Sequence, residues 1–163
     1  MKKLKEFWSK YKTYIISIAI ALGVGAFSAI LTMGNMDIFD EIKKPPLTPP
    51  GFLFPIVWTA LYILMGISAA RIYELKATNK NKVTDALSYY ASSLAVNFSW
   101  SIIFFNFRLF LLAFIWIILL LFLIIKTVLE YRKLDTIAAY LQIPYIVWVS
   151  FATYLTFGIY LLN

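Results

Sequence analysis

The sequence predicts an all-α membrane protein, a bundle of five transmembrane helices that forms one domain over residues 1–163. Two observations carry this prediction. The chain is 62% hydrophobic and only 14% charged, whereas about 25% of the residues in soluble domains are charged. It also contains five apolar stretches that approach or exceed the length needed to cross a bilayer, about 20 residues.

The five predicted spans cover residues 13–33, 52–70, 86–107, 109–125 and 137–162. The first follows two lysines, as a secretory signal would. Its apolar stretch exceeds the roughly 7–15 residues of such a signal and lacks a small-residue cleavage site, so we expect this helix to be retained. The third and fourth spans are nearly contiguous, and we expect them to be antiparallel neighbours.

Lysine and arginine residues predict the orientation. Twelve of the 15 fall in the N-terminal tail and in the second and fourth loops, and three fall in the first and third loops. Cytoplasmic loops are enriched in these residues, so we expect a cytoplasmic N-terminus, with the first loop and the C-terminus outside. The net charge of +7 comes from residues in short loops beside apolar stretches. This placement indicates a multi-pass cell-membrane protein in contact with lipid, and not a nucleic-acid-binding protein. The lysine- and isoleucine-rich composition favours a bacterial source.

The first loop, residues 34–51, has an unusual composition. It contains Pro45, Pro46, Pro49 and Pro50, and proline holds φ at about −65° and donates no backbone hydrogen bond. The segment is therefore predicted to be stiff and non-helical. It could lie as a lid over the outer helix ends or serve as a spacer, and composition leaves both interpretations open.

Several classes of chemistry are disfavoured by what the chain lacks. It has no histidine and no cysteine, and no charged residue lies inside a predicted span. Histidine is the commonest general base and metal ligand, and ion-coupled transporters usually carry ionisable groups within the bundle. We therefore predict no metal site, no cofactor, no conventional acid–base hydrolase and no ion-driven pump. A passive facilitator stays open.

A few residues inside the spans are candidates for a binding site. Asn97 lies near the middle of the third span, where its amide needs either a partner helix or a ligand. Trp148 lies near the centre of the fifth span, and Pro144 is expected to bend that helix. Trp58 and Tyr62 form a similar stripe on the second span. The helical repeat places on one face of the fifth span Pro144, Trp148, Ala152 and Leu155.

Small residues on the third span predict a close helix contact. Ala91, Ala95 and Ser99 recur at intervals of four residues, and such spacing lets helices approach closely in lipid. The contact could be internal to the bundle or the seam of a homodimer.

Three motifs occur in order along the chain. They are KPPLTPPG at residues 44–51 with FPIVWTALY at 54–62, NFSW at 97–100, and PYIVWVSFATYL at 144–155. In these motifs the chain resembles the TspO/MBR family of tryptophan-rich sensory proteins, also called translocator proteins or peripheral benzodiazepine receptors. The resemblance covers about residues 44–163. It implies a five-helix bundle, often dimeric, whose pocket opens toward the first loop and binds porphyrins such as protoporphyrin IX and drug-like molecules.

The resemblance also implies roles for individual residues. Trp58 and Trp148 match tryptophans implicated in ligand contact and porphyrin breakdown, whereas Asn97, Ala152 and Pro45 match pocket or lid positions. We expect the ligand-binding set to be Trp58, Trp148, Asn97, Ala152, Pro45, Phe39, Tyr62, Phe104 and Leu155. No catalytic residue is assigned unless the chain degrades porphyrin, in which case Trp58 and Trp148 would act.

The chain departs from the family pattern at several positions. Phe39 replaces a tyrosine of the first loop, and Trp116 stands where the family often has an aspartate. Phe157 and Leu161 replace the tyrosine and the cation of the cholesterol-recognition pattern, so we predict no specific sterol binding. The leading hypothesis is a receptor or carrier of porphyrin-like ligands, tied to tetrapyrrole metabolism or stress signalling. An oxidative or photo-oxidative porphyrin-degrading enzyme and a passive transporter are the alternatives.

Overall fold

The computed structural model describes the backbone of residues 2–163 and the side chains of residues 7, 8 and 11–163. Over these residues the chain is helical and contains no strand, which confirms the predicted all-α class. The helices are α1 (Lys2–Thr32), α2 (Ile38–Glu41), α3 (Leu53–Glu74), α4 (Lys80–Ser101), α5 (Phe110–Arg132), α6 (Thr136–Leu141) and α7 (Ile143–Leu162). A segment of π-helix, Ile102–Asn106, continues α4.

Within the described residues, four stretches are long and apolar enough to cross a membrane. They are Tyr11–Asn35, Leu53–Ala77, Phe110–Arg132 and Thr136–Leu162. The predicted span 109–125 is too short, because lysine is a good helix former and α5 continues past Lys126 to Arg132. The predicted third span, 86–107, coincides with the greater part of α4 and its π-helical end. This stretch is rich in serine and tyrosine and less apolar than the other four, so its crossing of the membrane stays a prediction.

The helices pack as a ring whose order differs from their order in the chain. α1 packs on α3, α3 on α6, α6 and α7 on α5, α5 on α4, and α4 returns to α1. The short connection between α4 and α5 makes them antiparallel neighbours, as predicted. Two indole N–H groups tie this pair together. Trp100 Nε1 donates to the Ala113 carbonyl at 3.1 Å, and Trp116 Nε1 donates to Ser99 Oγ at 2.8 Å.

Two helices approach each other very closely at Gly66, on α3. A Cβ atom added there would lie 2.5 Å from the Ile18 Cα and 2.8 Å from the Ile18 backbone nitrogen on α1. The backbones are therefore in direct contact, which only a residue without a side chain permits. This is the kind of small-residue contact that holds helices together in lipid.

The predicted small-residue stripe on α4 faces away from the bundle at Ala91 and Ala95 but contacts α5 at Ser99. Ala91 and Ala95 are exposed, and Ser99, which receives the Trp116 hydrogen bond, is half-buried. Of the two interpretations of this stripe, the structure thus disfavours a contact inside the bundle at Ala91 and Ala95.

The fifth predicted span is interrupted at Gln142, which separates α6 from α7. Pro144 lies in the first turn of α7, where its missing N–H leaves no helical hydrogen bond unmade. The Gln142 side chain donates from Nε2 to Ser68 Oγ at 3.2 Å, and Ser68 donates to the Ala138 carbonyl at 2.7 Å. These bonds hold α6 against α3. Beyond the break, the backbone of α7 packs on α5 and hardly approaches α3, which leaves space between α7 and α3.

An ion pair closes the end of the bundle opposite the first loop. Arg71 Nε donates to Asp135 Oδ2 at 2.7 Å, and Asp135 also caps α6 by accepting from the backbone N–H groups of Ile137 and Ala138. Partial burial alone would raise the pKa of the Asp135 carboxyl. The hydrogen bonds from Arg71 and from the two backbone groups outweigh this effect and hold the pKa below its usual value.

Candidate functional site

A cavity of about 400 Å³ lies under the first loop, in the space between α3 and α7. It is bounded on its other sides by α1 and by the end of α4. This volume falls in the range of about 300–1,000 Å³ typical of small-molecule sites. On two of its sides lie α3 and α7, whose backbones hardly approach each other beyond Gln142.

Seven of the nine predicted ligand-binding residues line this one cavity. They are Phe39, Trp58, Tyr62, Phe104, Trp148, Ala152 and Leu155. They come from the loop, α3, the π-helical end of α4, and α7, so the fold brings distant parts of the chain together. Asn97 and Pro45 do not belong to the lining.

Asn97 lies behind the cavity wall. It is 2% exposed, and its Nδ2 donates to the Tyr62 hydroxyl at 2.9 Å. The opposite side of the Tyr62 ring rests on Gly25 of α1, where any Cβ would collide with the ring. Asn97 thus connects α4 to α3 and orients a residue that lines the cavity.

Pro45 is buried where the first loop meets α7. A Cβ added at Gly158 would lie 2.5 Å from the Pro45 Cβ atom, so the proline ring packs directly on the helix backbone. Two side chains support this contact through hydrogen bonds, one on α7 and one directly after its end. The Tyr154 hydroxyl donates to the Pro46 carbonyl at 2.9 Å. Asn163 accepts from the Lys43 N–H at 3.0 Å and donates to the Lys43 carbonyl at 2.9 Å.

The other end of the loop is held by the connection between α4 and α5. Asn35 Nδ2 donates to Asn106 Oδ1 at 3.0 Å, and Asn106 donates to the Leu31 carbonyl at 3.0 Å. Arg108 and Glu41 form an exposed ion pair at 3.6 Å. The loop is therefore fastened on both sides of the cavity that it covers.

Aromatic rings form most of the wall nearest the loop. The Phe54 ring lies 5.2 Å from Phe39 and 5.7 Å from Trp148, both edge-to-face. The Trp58 ring lies 5.7 Å from Tyr62 and 6.1 Å from Tyr145. These distances lie in the range of favourable aromatic pairs. The rings therefore hold one another in place around the cavity.

The indole N–H of Trp148 is buried and has no hydrogen-bond partner within the described part of the chain. Buried tryptophan N–H groups usually find a partner. Trp148 lines the cavity, whereas its indole N–H is enclosed by neighbouring residues.

Charged groups occur only at the mouth of this lining. Asp37 and Asp40 line the cavity from the loop. Lys44 Nζ lies 4.0 Å from Asp40 Oδ1 and 4.7 Å from the centre of the Phe39 ring. Deeper in the cavity the lining is neutral. No cluster of three or more potential metal ligands occurs among the described side chains.

The sequence reasoning missed the contribution of α1. Gly25, Ser28, Ala29 and Thr32 all line the cavity. Their spacing places them on one helical face. Two hydroxyls and a glycine on a single stripe of an otherwise apolar span were the signal that could have identified this wall.

The comparisons with known proteins agree with this fold. The model of the TspO/MBR family matches residues 17–162. The chain belongs to the TspO/MBR family. This confirms the predicted resemblance, and the protein is a multi-pass membrane protein, as the TspO/MBR proteins are.

Three TspO/MBR relatives illustrate the similarity. Protein CrtK of Rhodobacter capsulatus is 35% identical over 153 residues, which cover 94% of this chain and 92% of that protein. The tryptophan-rich protein TspO of Chlorobaculum tepidum is 35% identical over 152 residues, covering 93% and 96%. The translocator protein of Ovis aries is 32% identical over 120 residues, covering 73% and 70%.

Proposed function

We propose that this TspO/MBR protein is a receptor or carrier that binds flat, hydrophobic small molecules of the porphyrin class in the cavity beneath the first loop. The observation that carries the proposal is the ring-lined, largely neutral wall that includes Trp58 and Trp148. A planar macrocycle can stack on such rings, with about 0.5–1.5 kcal/mol per aromatic pair beyond the burial of apolar area.

The mouth of the cavity suits the polar edge of such a ligand. A porphyrin carries carboxylate side chains on one edge, and that edge would remain near the loop, where Lys44 would have to offset the like charges of Asp37 and Asp40. We expect Lys44→Ala to weaken the binding of protoporphyrin IX and to leave the binding of its uncharged dimethyl ester unchanged. Equal effects on both compounds would place the carboxylates elsewhere.

A titration in the dark tests the proposal. Protoporphyrin IX is added to the protein in detergent while tryptophan fluorescence is recorded. Saturable quenching is expected, with the affinity lowered about 2- to 12-fold in Trp148→Leu or Trp58→Leu, corresponding to one lost aromatic pair. Trp8→Leu is the matched control, because Trp8 is 53% exposed on α1 and lies outside the cavity lining. Absence of saturation, or unchanged affinity in the double variant, would contradict the proposal.

The same preparation distinguishes two other functions. Trp58 and Trp148 both line the cavity, which also suits an oxidative step at the indoles. If the protein degrades porphyrin, illumination in air will give a saturable product that depends on Trp148. If it transports porphyrin, proteoliposomes will take up the compound faster than empty vesicles do.

We also propose that α4 and its π-helical end form the fifth span, with the N-terminus in the cytoplasm. Residues 86–107 contain no charge, and α4 takes its place in the ring between α1 and α5. The natural chain lacks cysteine, so single cysteines can report topology. Leu47→Cys is expected to react with an impermeant maleimide in intact cells, because Leu47 is 82% exposed on the loop, and Lys133→Cys only after lysis. The reverse pattern would overturn the orientation.

A homodimer through the outward stripe of α4 is the third part of the proposal. Ala91 and Ala95 are exposed on the outer surface, where small side chains would let a second copy approach closely. Ala95→Trp is expected to convert the dimer to a monomer in light-scattering measurements. Ile118→Trp, at a position of α5 that is 46% exposed, is the control.

A further inference from the structure

Three tyrosine hydroxyls in the core are buried without a partner. Tyr90, Tyr131 and Tyr145 are 7%, 0% and 1% exposed, and no described residue forms a hydrogen bond with any of their hydroxyls. They come from α4, α5 and α7, yet they belong to one contiguous core together with Tyr62. None of the three lines the cavity.

The tyrosines lie close to one another and extend inward from the cavity. Tyr90, Tyr131 and Tyr145 pack in the same core cluster as Tyr62, and Trp58 packs against that cluster. Tyr62 lines the cavity, and Tyr145 packs edge-to-face on Trp58, another cavity residue. The hydroxyls therefore form a group that continues from the cavity floor into the bundle.

A missing partner is costly at this position. Buried tyrosine hydroxyls nearly always form a hydrogen bond, and a helix bundle in lipid has no bulk water to substitute for one. Phenylalanine would fill the same space without the cost of an unmade bond. Three tyrosines in one core are therefore best explained by a bound partner that is not part of the chain.

The chemistry of the group identifies that partner. No charged residue is buried among the described residues, so nothing inside this core would balance an ion. Each hydroxyl can both donate and accept a hydrogen bond, and the best match is a small neutral molecule that does the same.

We propose that Tyr90, Tyr131 and Tyr145 hold ordered internal water molecules, in a hydrated site between the cavity floor and the opposite end of the bundle. Such waters typically make about three hydrogen bonds to buried polar groups. The site belongs to the resting protein and does not depend on the identity of the ligand in the cavity. A polar group of a ligand that reached past Tyr62 would meet water there and not a dry core.

Water-edited solid-state NMR of the native chain in lipid bilayers tests the proposal directly. Tyrosine is labelled at Cζ and methionine at Cε, and the transfer of magnetisation from water is followed. The Tyr131 and Tyr145 signals, assigned by their loss in the phenylalanine variants, are expected to build up several-fold faster than the Met65 signal. Met65 is the internal control, because it is 0% exposed in the same core and has no hydroxyl. Build-up as slow as that of Met65 would overturn the proposal.

Phenylalanine variants provide a second readout. If the hydroxyls bind water, Tyr131→Phe and Tyr145→Phe each lose hydrogen bonds and unfold at lower denaturant than the native chain. If the hydroxyls are dry and unpaired, the same variants unfold at equal or higher denaturant, and the proposal fails. Tyr140→Phe, at a position 67% exposed, is expected to leave the midpoint unchanged.

Discussion

The contact between Pro45 and Gly158 makes the closure of the first loop sensitive to one methyl group. In Gly158→Ala the new Cβ would lie 2.5 Å from the Pro45 Cβ and 2.7 Å from its Cγ. Carbon atoms prefer about 3.5–4.0 Å, so the loop must move by about 1 Å. Overpacking of this kind costs about 1–3 kcal/mol. If release of the loop relieves the strain, the equilibrium constant for opening of the loop increases by about 5- to 150-fold.

Hydrogen exchange at one backbone amide measures this effect. The Lys43 N–H donates to the Asn163 side chain at 3.0 Å, so its protection reports whether the loop is closed. We expect exchange at Lys43 to accelerate in Gly158→Ala and porphyrin dissociation to accelerate with it. Gly23→Ala is the matched control, because an added Cβ there meets nothing within 4 Å.

A folded Gly158→Ala protein whose Lys43 amide exchanged within about twofold of the native rate would refute the reasoning, since the strain estimate requires at least a fivefold change. That result would mean that the helix absorbs the methyl group and that the loop is not held by this contact.

Three further predictions concern stability. Gly66→Ala is expected to separate α1 from α3 and lower the free energy of unfolding by roughly 1–3 kcal/mol; a midpoint in detergent at or above the native one would contradict this. Tyr62→Phe leaves the buried Asn97 amide unpaired and is expected to cost about 1–3 kcal/mol. A double-mutant cycle with Asn97→Leu should show coupling, and additive effects would argue against it. The lowered pKa of Asp135 stabilises the folded state above its unfolded pKa of about 3.9, and this stability is lost as pH falls through the lower folded value. The Asp135→Asn variant keeps a helix cap but lacks the charge that pairs with Arg71. It should therefore lose less stability than the native chain between about pH 5 and pH 2. If the free energies of unfolding of the two proteins changed with pH in parallel, the pair would not contribute as argued.

Much of the fold follows from local pattern. A span in lipid must satisfy its own backbone hydrogen bonds, so an apolar stretch of the right length is necessarily a helix. This is why the stretches around Leu53–Glu74 and Ile143–Leu162 were predictable. The end of α5 was not predictable from this pattern, because Lys126 ends the apolar stretch but not the helix. The break at Gln142 was expected only as a bend, since proline shows where a helix is weakened and not how its two halves then pack.

The candidate site divides in the same way. Trp148 was identifiable because tryptophan near the middle of a span is unusual, and Trp58 and Trp148 both lie in specific motifs. The sequence could not show that Tyr62 stands between Asn97 and the cavity, since this depends on the rotation of α4 relative to α3. The contribution of α1 was hidden for the same reason, because Ser28 and Thr32 gain meaning only when α1 packs beside α3.

By itself the sequence determined the membrane class, most of the helical segments, the family and seven of the 22 residues that line the cavity. These properties depend on composition, on periodicity and on short motifs that are read locally. The tertiary structure decided the order of helices in the ring, the fastening of the loop by Asn106 and Asn163, and the gathering of the buried tyrosines. Each of these depends on contacts between residues distant in the chain, which are set by how whole helix faces pack together.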